Sequence, residues 1–183
     1  MGVITTERLS LLPMTPEFLE CTAQGREADA RKTLGLEIPP TWFEHGPFAA
    51  VRLKQLAEGV TALPWLPRAI AFRGGREMIG YIGFHTSPAP EYLKDLSPHG
   101  VELGYEIFPA FRRQRIAWEA SLGLMDWARS QYSVKNFVVS VSPQNAASLS
   151  LIAKMGFRKI GSHVDDEDGP EDIFELVLNA KQA

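Results

Sequence analysis

The pattern of hydrophobic and polar positions is most regular between Val101 and Phe157. It predicts a strand at Val101–Ile107, a basic turn, and then a helix that begins at Ile116. The helix carries hydrophobic residues at helical spacing along a broad stripe, which is typical of a buried helix. Its stripe is Ile116, Ala117, Ala120, Leu124, Met125, Trp127 and Ala128. A second strand follows at Phe137–Val141, so the stretch predicts a right-handed βαβ crossover and a parallel strand pair.

The region before this stretch predicts one strand and several short helices. Thr6–Leu12 is strand-like, and Thr15 can cap a helix that starts with Pro16 and ends near Ala23. Residues 24–36 predict a second short helix, and Phe48–Ala57 predicts a third. These helices share no clean periodicity, which is typical of substrate loops and also of ordinary helical covers.

A sheet is predicted to begin at Arg68–Arg73. Gly74 and Gly75 supply a two-residue hairpin turn, and the partner strand runs over Glu77–His85. A polar excursion over residues 87–100 then leads to the strand at 101–107. Three consecutive strands, the first two joined by a tight turn, predict an antiparallel meander.

The end of the chain predicts a capped helix and two strands. Asn145 can cap the helix, and Gly156 fits the position just after its last turn. The strands at 157–164 and 173–178 flank an acidic loop, Asp165–Asp172. This loop is either a solvated hairpin or a segment that attracts a cationic substrate. With no repeat and no linker, the pattern predicts a single α+β domain over residues 1–183.

The composition limits the classes of protein to which this chain can belong. With 45% hydrophobic and 22% charged residues, the 183-residue chain is typical of a soluble globular protein. A net charge of −3 gives no electrostatic case for nucleic acid. The single cysteine, Cys21, cannot form an internal disulfide, and the four histidines are too scattered for a metal site.

No secretion signal or membrane span is expected, because every apolar run is shorter than about 18 residues. The start Met1–Thr6 fits a loose myristoylation pattern, but Val3–Leu12 is better explained as the first strand. The sequence therefore predicts a cytoplasmic protein without membrane attachment.

The turn Pro109–Arg115 carries the clearest binding signal. It places Arg112, Arg113 and Arg115 at the start of a helix, where positive side chains oppose the helix dipole. An anion would relieve this conflict, because a helix N-terminus offers free N–H groups and the arginines add charge. The turn is thus expected to bind the phosphates of a nucleotide-like cofactor. The alternative is a solvated basic helix start.

Four short pieces in this order resemble the GNAT superfamily of acyl-CoA-dependent N-acetyltransferases, particularly its ribosomal-protein N-terminal acetyltransferase branch. They are Glu102–Tyr105, Phe111–Ala117 followed by Glu119 and Ala120, Asn145–Ser148, and Gly156–Phe157. Thr6–Leu12 also resembles the first strand of that branch. The resemblance implies the GNAT fold: a mixed, mostly antiparallel twisted sheet with a parallel βαβ pair at the cofactor site and helices on both faces.

The resemblance implies acetyl-CoA as cosubstrate and no metal. The implied cofactor-binding residues are Ile107, Arg112, Arg113, Gln114, Arg115, Ile116, Ala117, Asn145 and Ser148. In the family's phosphate-binding turn a glycine occupies the position of Arg115. If φ is negative there, Arg115 costs little and can pair with phosphate. If φ must be positive, the turn has to shift and CoA binding weakens.

Acetyl transfer to an amine requires a base, since the ammonium of lysine has a reference pKa of about 10.4. Glu102 and Glu106 fall on one face of their strand by its period of two, and either is a candidate base acting through water. Glu102 fits the branch pattern better. Many relatives place a tyrosine acid where this chain has Ile152, which leaves Ser148 as the candidate acid. Asn145 and Ser148 are also explained as a helix cap alone.

The sequence thus indicates an acetyl-CoA-dependent N-acetyltransferase. It would move the acetyl group to a primary amine, on a small molecule or a protein N-terminus, by direct attack in a ternary complex. The first alternative is a catalytically degenerate CoA-binding module of the same fold, and the second is a protein-interaction module without a CoA site. A Rossmann dehydrogenase is disfavoured because no G-x-G-x-x-G follows a strand. The acceptor is not determined, and a homodimer is left open.

Overall fold

The computed structural model describes residues 2–165 and 169–178. The chain packs into two compact units, each built from two separate stretches. The first unit contains Met1–Thr86 and Tyr105–Leu124, and the second contains Ser87–Gly104 and Met125–Ala183. The single domain expected over residues 1–183 stays a prediction.

The first unit combines antiparallel strands with three helices. Its elements are β1 (Ile4–Thr5), β2 (Leu9–Pro13), α1 (Pro16–Ala23), α2 (Glu27–Leu34), α3 (Gly46–Ala57), β3 (Arg68–Phe72) and β4 (Gly80–Phe84). Strands β1, β2, β3 and β4 are neighbours in that order, and each neighbouring pair is antiparallel. The expected first strand is therefore a hairpin of two short strands, closed by the hydrogen bond from Thr6 N–H to the carbonyl of Leu9.

The helices of the first unit follow local sequence signals. The hydroxyl of Thr15 accepts a hydrogen bond from the N–H of Phe18, and Pro16 occupies the first helical position, as expected for α1. The core of the unit is apolar and contains the fully buried Trp42. Trp42 is also fixed in rotation, because its indole N–H donates to the hydroxyl of Thr22 at 3.0 Å.

The second unit contains the parallel strand pair. It holds the first part of β5 (Gly100–Ile107), β6 (Asn136–Val141), α5 (Ala146–Met155), β7 (Arg158–Asp165) and β8 (Gly169–Val177). Strand β5 is parallel to β6, which is antiparallel to β8, and β8 is antiparallel to β7. The buried Leu93, Val138 and Ile173 form the core cluster described for this unit.

Two elements contribute residues to both units. Strand β5 gives Tyr105–Ile107 to the first unit, where the N–H of Phe108 donates to the carbonyl of Ile79 beside β4. Helix α4 (Ile116–Tyr132) begins in the first unit and ends in the second. The stripe predicted for α4 is buried at Ile116, Ala120, Leu124, Met125 and Ala128.

The predicted fold class is confirmed as an α+β arrangement with a mixed sheet and a parallel pair. Several boundaries differ from the prediction. Strand β4 begins at Gly80 rather than Glu77, and β8 begins at Gly169 rather than Ile173. The predicted acidic loop lies partly in residues 166–168, outside the described residues. Within the described part of the chain, no helix is long and apolar enough to cross a membrane.

Candidate active site

The turn between β5 and α4 has an unusual backbone. After a short 3₁₀ segment at Pro109–Phe111, Arg113 and Arg115 both adopt the left-handed conformation, with φ of 62° at each residue. Arg115 stands where the resembling family has glycine, so the positive-φ alternative is the one found. The weaker CoA binding expected with that alternative stays a prediction. A left-handed L-residue costs roughly 1–2 kcal/mol. The chain therefore keeps a glycine-like backbone in this turn without a glycine.

The same turn presents unpaired hydrogen-bond donors. Among the described residues, no backbone carbonyl accepts a hydrogen bond from the N–H groups of residues 113–117. The side chains of residues 112–115 are exposed, and neither Arg113 nor Arg115 has an ion-pair partner in the described chain. Free N–H groups at a helix start and exposed guanidinium groups together fit an anion such as a phosphate.

Arg112 has a more specific place than its neighbours. Its Nε–H donates to the carbonyl oxygen of Ile107 at 2.8 Å, which closes the turn back onto the last residue of β5. Part of the guanidinium is thus used inside the turn, while the side chain as a whole stays exposed. Arg112 therefore holds the turn against the strand end that also carries Glu106.

A brace from the N-terminal hairpin supports the turn. The carboxylate of Glu119 accepts hydrogen bonds from the hydroxyl of Thr6 at 2.5 Å, from the backbone N–H of Arg8 at 2.7 Å and from Nε of Arg8 at 2.6 Å. The same guanidinium donates to the carbonyl of Gln114 at 3.1 Å. Sequence reasoning missed the brace, because residues more than a hundred positions apart carry no local signal of their contact.

The brace shifts the ionisation of Glu119. Burial alone would raise the pKa of Glu119, but the hydrogen bonds from Thr6 and Arg8 and the positive charge of Arg8 hold it below its ordinary value of 4.5. A carboxylate with a depressed pKa stabilises the folded protein above its unfolded pKa and loses this contribution as pH falls through its folded pKa.

We expect Glu119→Gln to lower the free energy of unfolding by about 1 kcal/mol at pH 7, a modest value because the guanidinium of Arg8 is exposed. The melting temperature should fall by about 2–4 °C. The difference between wild type and variant should persist above pH 4.5 and shrink as the pH falls below it. Thermal unfolding followed by circular dichroism from pH 3 to pH 7 measures both effects.

Glu58→Gln is the matched control, since Glu58, the residue just after α3, forms an exposed pair with Lys54 at 3.9 Å. It should leave stability unchanged within about 0.5 kcal/mol at every pH. A Glu119→Gln variant that behaves like this control would show that the brace contributes no stability.

Glu106 lies in a half-buried setting among aromatic side chains. One carboxylate oxygen, Oε2, is 3.5 Å from Nε2 of His45, and the exposed fraction of the Glu106 side chain is 34%. The phenol of Tyr81 is hydrogen-bonded to the same carboxylate. Burial first, and then the charge and hydrogen bond of Glu106, raise the pKa of Tyr81 above its ordinary value of 10.0, against a smaller opposing effect of Arg52. Tyr81 therefore stays a hydrogen-bond donor at neutral pH.

Glu102 lies in a different environment. It is only 5% exposed, and in the sheet it is beside Val138, which is in turn beside Glu175. Val138 packs with Leu93 of the segment between β4 and β5, so this face of the second unit is covered. Glu102 and Glu106, which the period of two places on one face of β5, thus differ sharply in their exposure to solvent.

Asn145 and Ser148 form a helix cap in the second unit. The side-chain oxygen of Asn145 accepts a hydrogen bond from the N–H of Ser148 at 3.1 Å, and Gly156 closes α5 with φ of 90°. The capping interpretation is confirmed. The predicted roles of these residues in cofactor binding, and of Ser148 as an acid, stay predictions.

Among the described residues, no three His, Cys, Asp or Glu side chains converge to hold a metal ion.

Residues 8–158 match the family model described as an acetyltransferase (GNAT) domain. The chain belongs to the GNAT acetyltransferase family. The resemblance drawn from the four sequence pieces is thereby confirmed. Arg8 and Glu119 of the brace, the turn and Glu106 lie within the matched residues.

The chain is also similar to individual proteins. The chain is 34% identical over 89 residues to an uncharacterised N-acetyltransferase, YoaA, of Bacillus subtilis strain 168, a stretch covering 49% of this chain and 46% of that relative. The fold is similar to that of RimL, a ribosomal L7/L12 alpha-N-protein acetyltransferase, in its complex with coenzyme A. The TM-score is 0.66 and the identity 16%, and the match covers 98% of this chain and 99% of RimL. It is also similar to the microcin C7 self-immunity acetyltransferase MccE in complex with acetyl-CoA and AMP, with a TM-score of 0.60 and 16% identity over 94% and 93% of the two chains.

Proposed function

We propose that this protein is an acetyl-CoA-dependent N-acetyltransferase that acts on a primary amine, on a small molecule or at a protein N-terminus. The observation that carries the proposal is the turn at residues 112–117, where free N–H groups and exposed guanidinium groups meet at the start of α4 within the matched GNAT domain. The structures of RimL with coenzyme A and MccE with acetyl-CoA support the choice of cosubstrate.

The residues around the turn fit the phosphates of this cosubstrate. The N–H groups of residues 113–117 and the side chains of Arg113 and Arg115 would hold them, and Arg112 and the Arg8–Glu119 brace would keep the turn in place. Acetyl-CoA supplies a thioester, whose acetyl group is activated toward an amine. Asn145, Ser148, Ile107, Gln114, Ile116 and Ala117 remain proposed contacts, as the sequence predicts.

The protein must remove a proton from the acceptor ammonium before its nitrogen can react. We assign this task to Glu106 rather than Glu102, because a base must reach the substrate and Glu102 is buried. The nitrogen then attacks directly in a ternary complex, since Cys21, the single cysteine, is buried in the core. The proposed place of action is the cytoplasm, consistent with a chain that carries one unpaired thiol.

The first experiment measures thermal unfolding with and without acetyl-CoA, followed by release of free thiol from acetyl-CoA in the presence of defined amines. The amines are a peptide with N-terminal serine, a peptide with N-terminal alanine, spermidine, lysine and phenethylamine. Acetyl-CoA at about 100 times its dissociation constant should stabilise the protein by roughly 2.7 kcal/mol.

Stabilisation together with amine-dependent thiol release would support the transferase. Stabilisation without release for any amine would favour the degenerate CoA-binding module. The absence of both effects would favour the protein-interaction module, and the enzyme proposal would then be wrong.

A further inference from the structure

His45 lies beside Glu106, at the junction between the 3₁₀ segment Pro40–His45 and α3. Its Nε2 faces Oε2 of Glu106 at 3.5 Å, and the exposed fraction of its side chain is 28%. The ring does not cap α3, because the residue makes no side-chain cap hydrogen bond. Among the described residues no group is hydrogen-bonded to its other ring nitrogen, Nδ1.

The His45 ring is held in place by aromatic side chains. Ring centroids lie 5.1 Å away at Trp42, 5.5 Å away at Tyr81 and 6.4 Å away at Phe48. Trp42 is itself buried and hydrogen-bonded, so this support is rigid.

The chemistry of proton removal favours an imidazole over a lone carboxylate. A carboxylic acid in water loses its proton at a pH far below that at which an ammonium does, so direct transfer to a glutamate is steeply uphill. Imidazoles change charge between about pH 5 and pH 8, much closer to the amine. A carboxylate on one ring nitrogen orients the ring and stabilises the imidazolium that forms on proton uptake.

We propose that His45 is a further catalytic residue, which accepts the proton of the acceptor ammonium and is oriented by Glu106. This inference rests on the proposed function. In it, Glu106 acts through His45, which takes the place of the bridging water expected from the sequence. The titratable groups in contact with His45 among the described residues are Glu106 on β5 and Tyr81 on β4, and Arg52 on α3 lies over the ring of Phe48.

The proton balance is simple. One N–H bond of the ammonium breaks and one N–H bond forms at Nδ1 of His45. The imidazolium that results has its Nε2 3.5 Å from the carboxylate of Glu106. The amine nitrogen keeps the electron pair of the broken bond and uses it to form the bond to the acetyl carbon. The thiolate leaves with the electrons of the carbon–sulfur bond and takes up the second proton that the nitrogen loses in becoming an amide. The products are the N-acetylated amine and a free thiol, and His45 returns its proton to solvent.

The test compares wild type with His45→Gln, using whichever of the five amines the wild type acetylates fastest. We expect kcat to fall by about a hundred- to ten-thousand-fold, the range typical of general-base catalysis, while KM for acetyl-CoA stays unchanged. The thermal shift caused by acetyl-CoA should persist, which shows that the variant is folded. Added imidazole should restore part of the activity of His45→Ala but not that of Glu106→Gln.

His163→Gln is the matched control. His163 makes a similar contact with a glutamate, 3.7 Å from Glu171, but in the β7–β8 hairpin of the second unit. Its replacement should leave kcat within about twofold of wild type. The double variant His45→Gln, Glu106→Gln should lose no more activity than the more impaired single variant, because two groups in one proton path act as a unit.

An active wild type with a His45→Gln variant of nearly equal kcat would overturn this inference alone. A second outcome would also overturn this inference: kcat falls, KM for the amine rises by a similar factor, and imidazole does not restore activity. His45 would then have only a packing role. A wild type that acetylates none of the five amines would overturn the proposed function and this inference with it.

Discussion

Replacing Glu106 by glutamine should lower kcat for acetyl transfer by about a hundred- to ten-thousand-fold. Glutamine keeps an oxygen that can accept the hydrogen bond of Tyr81, so the local packing is preserved. What disappears is the negative charge 3.5 Å from His45 Nε2. Steady-state thiol release at saturating acetyl-CoA measures the effect. KM for acetyl-CoA and the acetyl-CoA thermal shift should stay at wild-type values.

Glu102→Gln is the matched control, because it removes the same charge from the same strand. Glu102 is 5% exposed and lies beside Val138 in the parallel pair. We expect its replacement to change the free energy of unfolding more than kcat. The opposite pattern, with a large loss of kcat for Glu102→Gln and none for Glu106→Gln, would return the base to the residue that the family pattern favours.

The second large effect is expected at Arg115, where backbone strain and side-chain charge can be separated by two substitutions. Arg115→Ala removes the guanidinium but keeps a Cβ at φ of 62°. It should weaken acetyl-CoA binding by about ten- to a hundred-fold, since a hydrogen bond to a charged group contributes about 1.5–3 kcal/mol. Isothermal titration calorimetry with acetyl-CoA gives the change in dissociation constant.

Arg115→Gly removes the same charge and also relieves the left-handed strain. Relief of roughly 1–2 kcal/mol is partly offset by the greater entropy of glycine in the unfolded chain, about 0.5–1 kcal/mol. We therefore expect the glycine variant to melt about 2–4 °C above the alanine variant. Equal melting temperatures would mean that the turn is not strained at this residue. Equal affinity of wild type and both variants would show that Arg115 does not contact the phosphates.

Much of the candidate cofactor site could be predicted from the sequence, because its signals are local. The caps at Thr15 and Asn145 and the start of α4 each depend on residues within one helical turn. The conformation of Arg115 could not be predicted in the same way. The sequence left the sign of φ open, since a non-glycine residue adopts a positive φ only where its surroundings hold it there.

The candidate base shows the other limit of sequence reasoning. A period of two places Glu102 and Glu106 on one face of β5 and treats them alike. Their difference comes from what covers each of them. Leu93 packs against Val138, the sheet neighbour of Glu102, whereas His45 and Tyr81 leave Glu106 partly open.

By itself the sequence determined the family, the basic turn that opens α4, and the order of the strands and helices from β2 onward. These are consequences of hydrophobic periodicity, capping residues and motif spacing, which act between residues close together in the chain. Only the tertiary structure decided that Arg8 and Glu119 brace the turn and that His45, Tyr81 and Glu106 meet. Such contacts join residues far apart in sequence, and they are set by the packing of the core and the register of the strands.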